Sequence, residues 1–90
     1  MPNSYFFPCV DPGAEIIPEK QYIPPSGELY GYVMLETGVT VALRGDGTGT
    51  GDDGEDYTRI YHGIGVPNEN GGFPDYEMIG WALSRHTYTP

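Results

Sequence analysis

The sequence predicts a small all-β domain: an antiparallel sheet of roughly four to five short strands, curled into a partial barrel or a sandwich and joined by long Gly/Pro-rich loops. The chain has 90 residues, which suits a single domain. It contains 14 Gly and 9 Pro, and its longest stretch free of both is 81–89. Because α-helices average about eleven residues and tolerate interior Gly or Pro poorly, at most one short helical turn is expected. Two segments also show the period-two alternation of half-buried strands.

The first third of the chain, 1–27, carries six of the nine prolines. Proline removes a ladder donor and holds its neighbours extended, so this region is expected to supply only short edge strands or extended coil. The candidate strands are 4–10 and 14–23, separated by a turn at Asp11-Pro12-Gly13.

Residues 28–44 predict a β-hairpin. Strands over 28–36 and 39–44 flank Thr37-Gly38, a short connection ending in Gly that suits a tight turn. In the second strand Val39, Val41 and Leu43 share one face, which we expect to be buried.

Residues 45–56 form an acidic, Gly-rich segment with five acids and no base. A segment of Gly, Thr, Asp and Glu buries too little surface to offset its ordering entropy, so we expect a mobile hairpin tip outside the core. It would join strand 39–44 to a strand over 57–66, and a further strand is expected over 75–84, which places the C-terminal strands within 57–84.

Alternation along the predicted strands also predicts the core. The expected core residues are Val33, Leu35, Val39, Val41, Leu43, Ile60, Ile79 and Trp81. Tyr30 and Tyr32 are expected to fill the same core, whereas Tyr57 and Tyr61 suit either the core or an interface, where tyrosine offers rigid amphipathic area.

The charge of the chain restricts its partners. The formal net charge is −9, with four bases against 13 acids. Such a chain lacks the basic patches that bind nucleic acid or an anionic membrane, and it favours a basic protein surface as partner. No apolar run approaches the roughly 18 residues of a membrane span, and no signal peptide is visible. With Cys9 as the one cysteine, no internal disulfide can form, and a reducing cytoplasm is expected, a host's cytoplasm if the protein is viral.

No motif predicts a catalytic, cofactor or metal site. Of the EF-hand pattern begun at Asp46, only that Asp and Gly51 fit, which leaves 45–56 as a solvated loop, a protein contact or, least of all, a cation site. Cys9, His62 and His86 lack the spacing of a zinc site or a known Cys/His catalytic signature. Cys9 is expected to be a small buried residue, and we expect no enzyme activity and no cofactor.

The hypothesis that follows is a small acidic cytoplasmic protein that binds a basic, nucleic-acid-binding surface of another protein. Its size, charge and lack of catalytic motifs make it similar to small acidic phage-encoded inhibitors, such as anti-CRISPR and anti-restriction proteins, and the similarity implies stoichiometric inhibition of a host defence complex. The candidate partner-binding residues are Asp46, Asp52, Asp53, Glu55, Asp56, Tyr57 and Tyr61. As an inhibitor, the protein is expected to be a monomer or a homodimer. The alternatives are a self-associating structural subunit, such as a small virion or tail component, and a small-ligand binder or enzyme with a site built from loops.

Overall fold

A computed structural model describes residues 5–27 and 29–89; Ser4 and Glu28, which begin two of the predicted strands, lie outside these ranges. The protein is all-β and its strands are antiparallel, as the sequence predicts. The strands are β1 Phe6–Phe7, β2 Cys9–Val10, β3 Glu19–Ile23, β4 Tyr32–Leu35, β5 Thr40–Leu43, β6 Thr48–Gly51, β7 Asp56–Ile64, β8 Asp75–Leu83 and β9 Thr87–Tyr88. A 3-10 turn over Ser84–His86 separates β8 from β9.

The main sheet runs β3-β4-β5-β6-β7-β8, with β1 paired to the far half of β7, beyond β6. It is an open sheet rather than a closed barrel. Its two edges nevertheless meet at a bridge between Ile17 and Trp81, whose backbones exchange hydrogen bonds of 2.7 and 2.8 Å. The Trp81 indole also donates to Glu19 on β3 over 2.7 Å. Strands β2 and β9 form a separate two-stranded sheet.

The predicted hairpin is present as β4 and β5, but its first strand begins later than expected. Gly38 has a positive φ of 94° in the connecting turn, which suits Gly. Gly31 has a positive φ of 92° and lies so close to β3 that a Cβ there would be 2.7 Å from the Ile23 carbonyl oxygen. This conformation interrupts the extended backbone, so Leu29 and Tyr30 precede the strand and are exposed.

Segment 45–56 corrects the sequence prediction, because it contains strand β6. Strand β6 pairs with β5 on one side and with β7 on the other, so β5 and β7 are not neighbours. The alternation Thr-Gly-Thr-Gly places Gly49 and Gly51 toward the core, where both are buried. A Cβ at Gly49 would collide with the Val41 side chain, and one at Gly51 would lie 2.7 Å from the Tyr57 ring. The glycines therefore make room for neighbours in a packed strand.

The core consists of two clusters of buried side chains. The larger contains Ile17, Val33, Leu35, Val41, Tyr57 and Trp81, and the smaller contains Val10, Ile60 and Ala82. All eight predicted core residues belong here: Val33, Leu35, Val41, Ile60 and Trp81 are fully buried, and Val39, Leu43 and Ile79 are half-buried against the clusters. The core residues that the prediction missed include Val10 and Ile17, which come from the proline-rich third.

The tyrosines divide differently from the prediction. Tyr30 and Tyr32 are 61% and 39% exposed, so their expected burial is wrong, whereas Tyr57 is only 4% exposed. Tyr32 precedes Val33 on β4, and because Val33 faces the core, Tyr32 must face the opposite side. Tyr30 lies over Gly45, where a Cβ would be 2.6 Å from its ring.

Candidate functional site

The candidate partner-binding residues do not form one surface. The β5–β6 turn, which holds Asp46, and the β6–β7 turn, which holds Asp52, Asp53 and Glu55, lie at opposite ends of β6. Three further candidates follow along β7. Asp56 begins this strand, Tyr57 points into the core, and Tyr61 lies halfway along the strand, beside β1. The structure thus brings together Asp52, Asp53 and Glu55 and separates them from Asp46 and Tyr61.

Two of these carboxylates stabilise, by hydrogen bonds, the turns in which they lie. Asp53 accepts hydrogen bonds from the Tyr57 hydroxyl over 2.7 Å and from the Glu55 backbone N–H over 3.1 Å. The hydrogen bond from Tyr57 is the larger of the two effects that lower the pKa of Asp53. Asp46 accepts from the Thr48 hydroxyl over 2.6 Å and from its N–H over 3.0 Å, and these bonds lower the pKa of Asp46.

Two others pair with arginines. Arg85 donates to both carboxylate oxygens of Glu55, over 2.8 and 3.0 Å. Arg44 lies 3.4 Å from Asp56 and also donates to the hydroxyls of Thr48 and Thr50 on the outer face of β6. Part of the negative charge of 45–56 is therefore balanced within the protein. Exposed pairs of this kind contribute little to stability, but they reduce the charge offered to a partner.

The β6–β7 turn borders a cleft of 370 Å³, which we call the acidic cleft. Its floor is apolar and includes Ile17, Val39 and Leu83, and its rim carries the carboxylates of Glu15 and Asp53. His86 of the 3-10 turn and Thr37 of the β4–β5 turn complete the lining with Tyr57. An apolar floor beneath carboxylates suits a lysine or arginine side chain, which has an aliphatic stem and a cationic end.

A second cleft lies beside Arg59 and has a volume of 540 Å³; we call it the Arg59 cleft. It is lined by Phe7, Pro8, Gly45, Asp46, Gly47, Thr58, Arg59 and Tyr61. The Arg59 guanidinium carbon is 5.8 Å from the centre of the Tyr61 ring and 5.7 Å from that of the Trp81 ring. Sequence reasoning did not single out Arg59, although the alternation along 57–66 placed it on one face with Tyr61.

Aromatic side chains extend this surface along the far half of the β7–β8 hairpin. Phe7 and Tyr76 have ring centres 6.1 Å apart, and Phe73 lies 6.1 Å from Tyr76 and 5.4 Å from Tyr5. Gly63 permits this packing, because a Cβ there would collide with the Phe73 ring. Phe7 is 63% exposed, and Tyr5 and Tyr76 are each 43% exposed. Exposed aromatic area of this kind is typical of binding surfaces.

The thiol and the two imidazoles lie in different surroundings. Cys9 is buried, as predicted, while the His62 ring lies 5.7 Å from that of Phe6 and His86 lines the acidic cleft. Among residues 5–27 and 29–89, no group of three or more His, Cys, Asp or Glu side chains is arranged to hold a metal ion. No helix in the described part of the chain has the length and apolar character needed to cross a membrane.

Comparison of the chain with protein-family models, with curated proteins and with solved structures found no match.

Proposed function

We propose that the protein is a non-catalytic binding domain that docks on a basic protein surface, of the kind that nucleic-acid-binding complexes present, and blocks it stoichiometrically. The observation that carries this proposal is the acidic cleft, where the carboxylates of Glu15 and Asp53 lie beside an apolar floor. A partner lysine or arginine would lay its stem on Leu83 and Val39 and place its charge between Glu15 and Asp53.

Further acidic residues lie in the turns around this cleft, outside its lining. The β4–β5 turn carries Glu36 and the β6–β7 turn carries Asp52 and Glu55, and both turns lie at the same end of the sheet as the cleft. Arg85 balances part of this charge through its pair with Glu55. With a net charge of −9 on the whole chain, this end would attract a basic surface and accelerate encounter.

The docking surface proposed here differs from the one that the sequence favoured. It retains Asp52, Asp53 and Glu55 and adds Glu15, which comes from the proline-rich third. Tyr57 contributes to the floor of the cleft rather than to an exposed face. Asp46 and Tyr61 belong to the Arg59 cleft.

The test compares two double variants of equal net charge. Glu15→Gln with Asp52→Asn alters the acidic cleft and its neighbouring turn, while Glu69→Gln with Glu77→Gln alters exposed residues of the β7–β8 hairpin. The partner is captured from lysate with the wild-type chain and identified, and binding is then measured by surface plasmon resonance at low and high salt. We expect the cleft variant to lower the association rate at low salt at least about threefold. The hairpin variant should leave the rate near that of wild type.

Two results would overturn the proposal. Equal loss of rate in the two variants would show that net charge alone matters, without a docking site at the cleft. A captured partner with no basic surface would contradict the partner class.

A self-associating structural subunit is the second candidate, and the exposed aromatic surface of Tyr5, Phe7 and Tyr76 favours it. Light scattering after size-exclusion chromatography tests it: a concentration-dependent dimer or polymer that Phe7→Ala dissociates supports self-association, and a monomer at all concentrations contradicts it.

A further inference from the structure

Arg59 differs from the other two arginines in its partners. Arg44 and Arg85 each pair with a carboxylate, whereas Arg59 has no carboxylate partner among the described residues. Its Nε atom is buried and lacks a hydrogen-bond partner there as well. A guanidinium offers five donors, and leaving buried donors unsatisfied is costly, so such groups usually have an acceptor close by.

The protein holds this guanidinium in a defined place. The Arg59 backbone N–H donates to the Gly47 carbonyl over 2.8 Å, which fixes β7 against the β5–β6 turn. The rings of Tyr61 and Trp81 lie near the guanidinium at similar distances, and cation–π contacts of this kind stabilise its position. Arg59 also lines the 540 Å³ cleft, so a ligand held in the cleft would lie beside this side chain.

The walls of the cleft suit a flat apolar group. Phe7 and Tyr61 line it, and the same two rings form an adjoining apolar hollow of 290 Å³ with Tyr76. Phe7 is the most exposed phenylalanine or tyrosine ring among the described residues, at 63%, so its face is available for stacking. Offset or edge contacts with such rings stabilise a bound aromatic group.

The negative charge of the protein limits how many negative charges a ligand of this cleft can carry. One guanidinium matches one carboxylate in a bidentate pair. Asp46 also lines the cleft, and with a net charge of −9 the chain repels dianions and polyanions more strongly than a single carboxylate. A phosphate group or a nucleic acid strand is therefore disfavoured.

From these observations we infer that the Arg59 cleft binds an aromatic molecule carrying one carboxylate, with the carboxylate on Arg59 and the ring against Phe7 and Tyr61. The site lies away from the acidic cleft and does not depend on the proposed function. The ligand's carboxylate comes from either a small aromatic acid or the C-terminus of a peptide that ends in an aromatic residue.

The experiment uses two probes that differ only at the carboxyl group, N-acetylphenylalanine, which carries a carboxylate, and N-acetylphenylalaninamide, which carries a neutral amide. Trp81 is the one tryptophan of the chain and lies next to Arg59, so its fluorescence and the amide NMR shifts of β7 report binding. We expect the acid to bind at least about tenfold more tightly than the amide, because the amide lacks the charge-assisted pair. Equal binding of the two probes, or no binding of the acid at millimolar concentration, would overturn the inference.

Variants locate the binding site. Arg59→Gln should abolish the preference for the acid, and Phe7→Ala should weaken binding of both probes, since Phe7 is exposed and its loss leaves the core intact. Matched controls are Arg85→Gln and Tyr22→Ala, which remove an arginine and an exposed tyrosine elsewhere and should not change binding. If Arg59→Gln retains the preference while its amide spectrum remains folded, the assignment to Arg59 is wrong.

Two further probes identify the source of the carboxylate. Acetyl-Gly-Gly-Phe with a free C-terminus tests the peptide: binding as tight as that of N-acetylphenylalanine assigns the site to peptide C-termini, and weaker binding assigns it to small aromatic acids. Adenosine monophosphate tests the phosphate alternative, and tighter binding of this nucleotide than of the carboxylate would overturn the carboxylate assignment.

Discussion

At the scale of single residues, the contact between Tyr57 and Asp53 connects the core to the surface. The Tyr57 ring is buried beside Gly51, and its hydroxyl donates to Asp53 in the β6–β7 turn. One side chain therefore fills the space that a glycine leaves and also fixes a turn beside the acidic cleft. The sequence left Tyr57 open between the core and an interface, and sequence alone could not show that β6 would supply glycines for its ring to cover.

Because of this contact, the free energy of unfolding is expected to depend on pH in the alkaline range. Burial, followed by the hydrogen bond to Asp53, raises the pKa of Tyr57 to about 12 from its ordinary value of 10.0. The folded chain thus holds the phenol proton more tightly than the unfolded chain, and this contribution is complete below pH 10 and is lost as pH rises toward 12. We expect the free energy of unfolding, from urea titrations, to fall across this window, and Tyr57→Phe to reduce the fall. Tyr61→Phe is the control; if wild type and Tyr57→Phe fall equally, the phenol is not responsible.

Gly49 offers a second test at this scale. A Cβ there would collide with the Val41 side chain and lie 2.6 Å from the Ala42 carbonyl oxygen. We expect Gly49→Ala to lower the free energy of unfolding by about 1–3 kcal/mol, the usual cost of overpacking. Gly72→Ala is the matched control, because its nearest neighbour would be an ordinary 3.4 Å away. Equal urea midpoints for wild type and Gly49→Ala would contradict the packing described for β6.

At the scale of elements, strand β6 shows both the reach and the limit of sequence reasoning. The hairpin of β4 and β5 and the strands β7 and β8 follow from apolar alternation, and the structure confirms them. In β6 the alternating residues are Thr and Gly, so no apolar signal marks its buried face. The burial arises from Val41 and Tyr57, which cover the glycines from β5 and β7. The composition of 45–56 predicted a loop because its own residues offer little apolar surface to bury. In the structure, side chains from the neighbouring strands supply the apolar contact.

The role of β6 predicts the effect of removing it. Replacing 45–56 with Asn-Gly would delete hydrogen bonds that β6 makes to both β5 and β7, and it would leave Val41 and Tyr57 without their neighbour. We therefore expect this variant to lose the cooperative thermal unfolding transition. Circular dichroism recorded during heating measures the transition. Replacing 67–72, an exposed part of the β7–β8 connection, with a short turn is the control and should preserve it. A cooperative transition in the first variant would show that β5 and β7 can pair directly.

At the scale of the whole molecule, the two clefts lie in different chemical surroundings. The protein measures 42 × 26 × 20 Å. Carboxylates concentrate near the acidic cleft at one end of the sheet, and exposed aromatic rings concentrate on the far half of the β7–β8 hairpin. The sequence predicted the acidic character but not its location, because Glu15 and Glu36 reach that end only through the pairing of distant segments.

Crowded carboxylates at one end predict a salt effect on stability. Repulsion among exposed like charges weakens the folded state and is screened by ions. We expect the melting temperature to rise as sodium chloride increases from low to physiological concentration, and Glu15→Gln with Asp52→Asn to reduce that rise more than Glu69→Gln with Glu77→Gln does. Scanning calorimetry measures all three chains. The same salt response in both variants would show that the acidic end carries no special repulsion.

The bridge between Ile17 and Trp81 has a consequence for the order in which the chain folds. Trp81 also bonds to Glu19, a residue 62 positions away, whereas β4 to β7 pair each with the next strand along the chain. Contacts between distant segments carry a higher loop-closure entropy and form late. During synthesis, Ile17 therefore has no pairing partner until Trp81 leaves the ribosome. Until then, part of the apolar surface around Ile17 stays exposed while β4 to β7 form. We therefore expect substitutions at Ile17 to affect the yield of folded protein more than the rate at which β4 to β7 assemble.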